Sequence, residues 1–223
     1  MIMAREPRSE RQPSPRVQQK RLQARQEILQ AARDILREGG VDAVTLASVA
    51  GALGMTKQAL YHYFPSKDAL MRSLVTALID DEVETLVTAI EATDAGDSSL
   101  GELIRAFYDH YINNLDAFRT VYCQSQLYSA PHLGMDPTTV RDQINPRIRS
   151  LFDSLEARLA GKTRSKQKRE RMRRLAYTAW TSVLGLVTML SVADAVDDPL
   201  LHSDEDLLKT LSSVFDKAAR SAV

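Results

Sequence analysis

The sequence predicts an all-α chain, with a three-helix head at the N-terminus and a larger helical body behind it. Two observations predict the class. Apolar residues recur at helical spacing through most of the 223 residues, and no strand candidate exceeds a few residues. One periodic stretch, TLASVAGALGMTKQALYHYF at 45–64, is broken once, at Leu53-Gly54-Met55-Thr56. A third observation is charge. Residues 1–72 hold 12 Lys/Arg against 7 Asp/Glu, and residues 73–140 hold 2 against 11. A basic head beside an acidic segment suits a nucleic-acid partner at one end only.

The elements follow in order. Residues 1–19 are rich in Arg, Pro, Ser and Gln, lack periodicity, and read as a disordered basic arm. A plain solvated tail is favoured over an arm whose arginines touch DNA. A first helix spans about 20–38, with Ile28, Leu29, Ala32, Ile35 and Leu36 inward and Gly39-Gly40 ending it.

In the broken stretch, Leu46, Val49, Leu53, Leu60 and Phe64 face inward. Gly54 can adopt the left-handed conformation that ends a helix, and Thr45 and Thr56 can cap the helices that follow them. Ala50, four residues before Gly54, is small where two helices approach. Lys57, Gln58, Tyr61 and His62 are left facing outward with no acid among them. A short helix bearing such groups can enter the major groove. An ordinary pair of core helices explains the apolar residues but not that polar face.

Pro65 stops this helix. Ser66 caps a long one to about 90, whose stripe is Leu70, Leu74, Leu78, Val83, Leu86 and Ile90. Further helices are expected at about 100–114, 115–129 and 138–159, the last kinked near Pro146, with turns at 94–99, 129–137 and 160–165. An uncharged helix continues to about 195, and a last helix after Ser203 carries Leu207, Leu208, Leu211, Val214 and Phe215.

Beyond the helical pattern, the motif Thr45, Val49-Ala50, Leu53-Gly54, LYHYFPSKDAL with Lys67 and Leu70 resembles the signature of the tetracycline-repressor (TetR) family of bacterial regulators. The resemblance covers roughly residues 20–75. It implies a helix-turn-helix DNA-binding domain at 20–65, then a helical ligand-binding and dimerisation domain at 66–223. It implies a homodimer that binds double-stranded DNA and is released by a small-molecule effector; the alternative reading is a DNA-binding protein without a small ligand, controlled by a protein partner or acting architecturally. In the family the residue matching Thr45 also lies near the DNA backbone. On this frame Thr45, Thr56, Lys57, Gln58, Tyr61, His62 and Lys67 are the candidate DNA contacts, with Lys57 and Gln58 suited to base edges and Tyr61 and His62 to phosphates.

For the effector, Phe107, Tyr111, Tyr122, Gln126 and Trp180 combine apolar walls with polar tips, although aromatics at helical spacing also serve as core. For the dimer, Leu184, Val187, Leu207 and Leu211 are expected in a two-fold four-helix bundle.

Other chemistry is not indicated. His62, His110, His132 and His202 are scattered without zinc spacing, no catalytic set emerges, and no cofactor is expected. Cys123 is the only cysteine, which fits a reducing, cytoplasmic setting. The uncharged run 175–193 raises a membrane span, but Thr178, Thr181, Ser182, Thr188 and Ser191 favour a buried helix and no membrane partner. The basic run 162–174 reads as a solvated helix start that neutralises the acidic middle.

Overall fold

Capping chemistry sets the helix boundaries of the head. The structure is a computed structural model that describes residues 14–93, 99–123, 136–161, 163–196 and 202–221. Helix α1 (Pro15–Ala43) begins with a proline, whose missing N–H costs nothing in the first turn. Residues 15–19, expected in the arm, are therefore helical; Gln18 and Gln19 are good helix formers and nothing after Pro15 breaks the turn. Residues 1–13 lie outside the described residues. Ile28, Ala32 and Leu36 are the buried row, and Gly40 kinks the helix at φ 71°.

Helix α2 (Leu46–Ala52) opens on a reciprocal cap. Thr45 Oγ1 accepts from the Ser48 N–H, and Ser48 Oγ accepts from the Thr45 N–H, both at 3.0 Å. It closes on Gly54 at φ 62°, where the Met55 N–H donates to the Ala50 carbonyl at 2.9 Å and the Gly54 N–H to the Gly51 carbonyl at 3.1 Å. This pairing satisfies the last carbonyls of the helix. Thr56 caps α3 (Lys57–Tyr61) through the Ala59 N–H, and Ser66 caps α4 (Lys67–Ala92) through the Ala69 N–H.

The body comprises α5 (Ser99–Ile112), α6 (Leu115–Phe118) running into a π-turn at Arg119–Cys123, α7, α8 (Lys166–Val196) and α9 (Asp204–Arg220). Helix α7 is built of Pro137–Thr139, a π-turn at Val140–Ile144, and Asn145–Ala160. The irregularity expected near Pro146 is that π-turn, which ends where the proline opens a regular helix. Helix α5 is central and packs on α4, α8 and α9, while α4 also packs on α1 and α7. Buried side chains form one cluster from Ile28 in the head to Ala219 in the body. Among the described residues there is no strand, and no helix is long and apolar enough to cross a membrane.

Two expectations about charge need correction. The row 70, 74, 78, 86, 90 passes through Glu82, which is fully buried, rather than Val83. The i+4 ladder runs straight, and an acid occupies its fourth rung. The basic start of α8 pairs with α7 instead of the acidic middle: Arg169 with Glu156 at 2.6 Å, and Arg173 with Asp153 at 2.6 Å and Glu156 at 3.1 Å. Proximity decides, since α7 and α8 are adjacent.

Three successive acids of α4 reach three different partners. Asp80 binds Arg147 of α7, Asp81 binds Arg33 of α1 at 2.7 Å, and Glu82 points into the body core.

Candidate nucleic-acid interface and aromatic core site

Leu60 is the buried anchor of α3, so the opposite side of that helix must face solvent. Lys57, Gln58, Tyr61 and His62 are all exposed there. The Lys57 ammonium stands over the Tyr61 ring, 5.9 Å from its centroid. Thr56 and Lys67 are exposed at the two flanking helix starts, and Thr45 is half-buried with its hydroxyl engaged in the α2 cap. Six of the seven candidates thus lie on α3 or at its flanking turns, and Thr45 lies at the start of α2. Lys67 adds a cation where the first N–H groups of α4 favour an anion.

Three basic residues of α1 join them unannounced by the motif. Lys20 and Arg21 line a groove of about 590 Å³ with Val17, Met55, Ala59, His62 and Tyr63. Arg25 Nη1 donates to the Tyr63 carbonyl at 2.7 Å, Nη2 to Ser73 Oγ at 3.4 Å, and the guanidinium stacks 4.3 Å from the Phe64 ring. Arg25 closes the open end of α3 and holds it against α1 and α4. One signal was available: Arg25 lies on the same helix face as Ile28, Ala32 and Leu36, where an exposed cation is out of place.

In the body, four of the five expected effector residues come together. Phe107 lies 5.1 Å from Tyr111, 6.0 Å from Tyr122 and 6.5 Å from Trp180 between ring centroids, and Tyr122 lies 6.1 Å from Trp180. Gln126 lies outside the described residues. Sequence reasoning missed the group at their centre, Glu82. The Tyr111 hydroxyl donates to Glu82 Oε2 at 2.6 Å, and the Tyr122 hydroxyl reaches Oε2 at 2.6 Å and Oε1 at 2.8 Å. Burial pushes the Glu82 carboxyl above its ordinary range, against the opposing pull of Tyr111, Tyr122 and Trp180. The same burial, with the Glu82 charge, raises both phenols. The Trp180 indole N–H is buried with no hydrogen-bond partner of good geometry among the described residues. Beside the cluster, His110 packs 4.6 Å from the Tyr111 ring; burial lowers its pKa and Asp81 opposes this.

Of the expected dimer residues, Leu184, Leu207 and Leu211 are half-buried, but Val187 is 0 % exposed within the single chain. Val187 follows Ala176, Ala179, Trp180 and Val183 on the inward side of α8, so it belongs to the core. The outward side of α8 carries Tyr177 and Met189, and that of α9 carries Val214, each more than half exposed. No group of metal-ligating side chains occurs among the described residues.

Residues 28–74, from α1 through α3 into α4, match the family described as bacterial regulatory proteins, tetR family. The chain is 26% identical over 188 residues to the HTH-type transcriptional regulator RutR of Escherichia coli O157:H7, covering 84% of each protein. Its fold is similar to that of a transcriptional regulator of the TetR/AcrR family from Thermobifida fusca YX-ER1, with a TM-score of 0.62, 18% identity and coverage of 86% of this chain and 96% of that one. It is also similar to a TetR variant from Acinetobacter baumannii AYE in complex with minocycline, with a TM-score of 0.54, 18% identity and coverage of 87% and 93%.

Proposed function

We propose, on the match of residues 28–74 to the tetR family of bacterial regulators, that the chain is a repressor released from its operator by a small, largely apolar effector. The observation that carries this reading is the exposed, acid-free face of α3, held between two side-chain caps on a buried leucine. Lys57, Gln58, Tyr61 and His62 meet the bases and phosphates of a major groove, with Thr45, Thr56 and Lys67 at its edges. Lys20 and Arg21 extend the basic track along α1. The body helices α8 and α9 pair with a second copy through Leu184, Leu207 and Leu211, joined by the exposed Tyr177, Met189 and Val214. The dimer then reads an inverted repeat whose half-sites lie roughly 34–36 Å apart or somewhat more.

The effector lodges among Phe107, Tyr111, Tyr122 and Trp180. The TetR variant in complex with minocycline, which shares this fold, supports a small-molecule ligand.

Selection of bound sequences from random DNA, followed by footprinting, tests the reading. An inverted repeat is expected, with affinity falling steeply as salt rises. Lys57→Ala and Tyr61→Ala should each weaken binding by roughly 1–3 kcal/mol. Unchanged affinity in both variants refutes the assignment. Light scattering should give twice 24.9 kDa, reduced to the monomer by Leu211→Glu.

A further inference from the structure

Glu82 is the only charged side chain buried among the described residues. Its surroundings are the wrong ones for an acid. The rings of Phe107, Tyr111, Phe118, Tyr122 and Trp180 pack together at 5.1–6.5 Å between centroids, and no Arg, Lys or His among the described residues pairs with the carboxylate. A leucine at this rung of the α4 ladder would continue the row of Leu70, Leu74, Leu78 and Leu86 at no electrostatic cost. An uncompensated acid in such a place destabilises the fold, and a counter-charge from outside the chain removes that penalty.

The chemistry of the enclosure specifies the counter-charge. A hard metal ion needs several oxygen ligands, and one carboxylate with two phenols offers too few. Aromatic faces attract an organic cation within about 6 Å of their centroids. The buried Trp180 N–H lies against Glu82 without a hydrogen bond of good geometry and adds a second polar group to the site. Tyr122 completes the wall over the carboxylate. It is half-buried and sits on the π-turn Arg119–Cys123, whose hydrogen-bond register differs from that of the α-helical turn leading into it. Its hydroxyl touches both carboxylate oxygens, where a cation would stand.

We propose that Glu82, Tyr111, Tyr122 and Trp180 form a cation-receiving subsite, and that the effector carries a protonated or quaternary nitrogen on an apolar frame. This rests on the reading that the body takes a small effector. The empty site keeps its carboxylate satisfied through the two tyrosines. The cation displaces the Tyr122 hydroxyl and pairs with Glu82 against the faces of Phe107 and Trp180.

The test uses benzyltrimethylammonium and its uncharged isostere, 2,2-dimethylpropylbenzene, titrated into the full-length protein. Trp180, the sole tryptophan, reports binding by fluorescence. The cation should bind saturably, and about tenfold or more weakly in Glu82→Gln, a loss on the scale of a desolvated ion contact. The isostere should bind wild type more weakly than the cation and be indifferent to that substitution. Tyr122→Phe, which removes the competing hydroxyl, should tighten cation binding severalfold. Equal cation binding by wild type and Glu82→Gln, equal binding of the two compounds, no binding of the cation at millimolar concentration, or no gain in Tyr122→Phe each overturns the subsite. DNA affinity measured in parallel separates the two readings. A cation that binds through Glu82 but leaves DNA affinity unchanged keeps the subsite and sinks the effector switch. A neutral compound that releases DNA equally from wild type and Glu82→Gln does the reverse.

Discussion

The face of α3 and the core around Glu82 are built in opposite ways. The first is drawn from one stretch, Thr45 to Lys67, and every side chain in it is aimed by local capping. The second takes one residue from α4, two from α5, one from a π-turn and one from α8, and only packing brings them together. A surface site on a short helix needs a rigid frame and little burial. A buried site needs several elements to agree. Damage should therefore stay local in the head and spread in the body.

The largest expected effect breaks the frame of α3. Leu60→Ala removes the single buried anchor of a five-residue helix and should cost about 2–5 kcal/mol in urea unfolding. Hydrogen exchange should show protection lost around 45–64 before it is lost in α5. Uniform loss across both regions would erase the contrast.

Next in size is Arg25→Ala, which deletes a charged hydrogen bond to the Tyr63 carbonyl and the stack on Phe64. It should cost roughly 1.5–3 kcal/mol of stability. DNA affinity should drop while the dimer mass holds. Arg25→Lys should not restore it, because an ammonium lacks the planar fork.

Glu82→Gln probes the other site. Its carboxyl is raised above the ordinary 4.5, so the folded chain holds that proton more tightly than the unfolded one does. The associated stability is present in acid, below 4.5, and is lost as pH rises through the raised value. The amide variant has no such loss. Its unfolding free energy in urea should therefore gain on wild type with rising pH, by at most about 1.4 kcal/mol per pH unit, then level off. His110 is common to both proteins and cancels in the difference, and the Tyr111 and Tyr122 phenols, raised well above 10, titrate beyond the range compared. Parallel curves would mean that the carboxylate is not desolvated.

The smallest effect is at the α7–α8 surface. Glu156→Gln loosens its ion pairs with Arg169 and Arg173 and should cost about 0.2–1 kcal/mol, vanishing at high salt.

The same contrast explains what the sequence makes legible. Thr45, Gly54, Thr56 and Ser66 each act within three to five residues of themselves, so the head and its outward face can be read directly. The aromatics of the body could be named, but not which of them share a wall, since that depends on how α5 meets α8. Val187 and Met189 show the limit: both are apolar on one uncharged helix, and only the neighbours decide that the first is core and the second is surface. Glu82 left a trace, as a gap in a four-residue ladder, but an acid between Asp81 and Glu84 reads as solvated until its partners are seen.

The triplet Asp80-Asp81-Glu82 has a mechanical consequence. Successive residues project roughly 100° apart around a helix axis, so these three acids clasp α4 from three sides. One grips the body at Arg147, one grips the head at Arg33, and one is sunk in the aromatic core. A helix held this way behaves as a keyed shaft. It cannot turn or slide to follow one partner without straining its hold on the other two, so a small shift at the core is delivered to the head as a change in the whole helix.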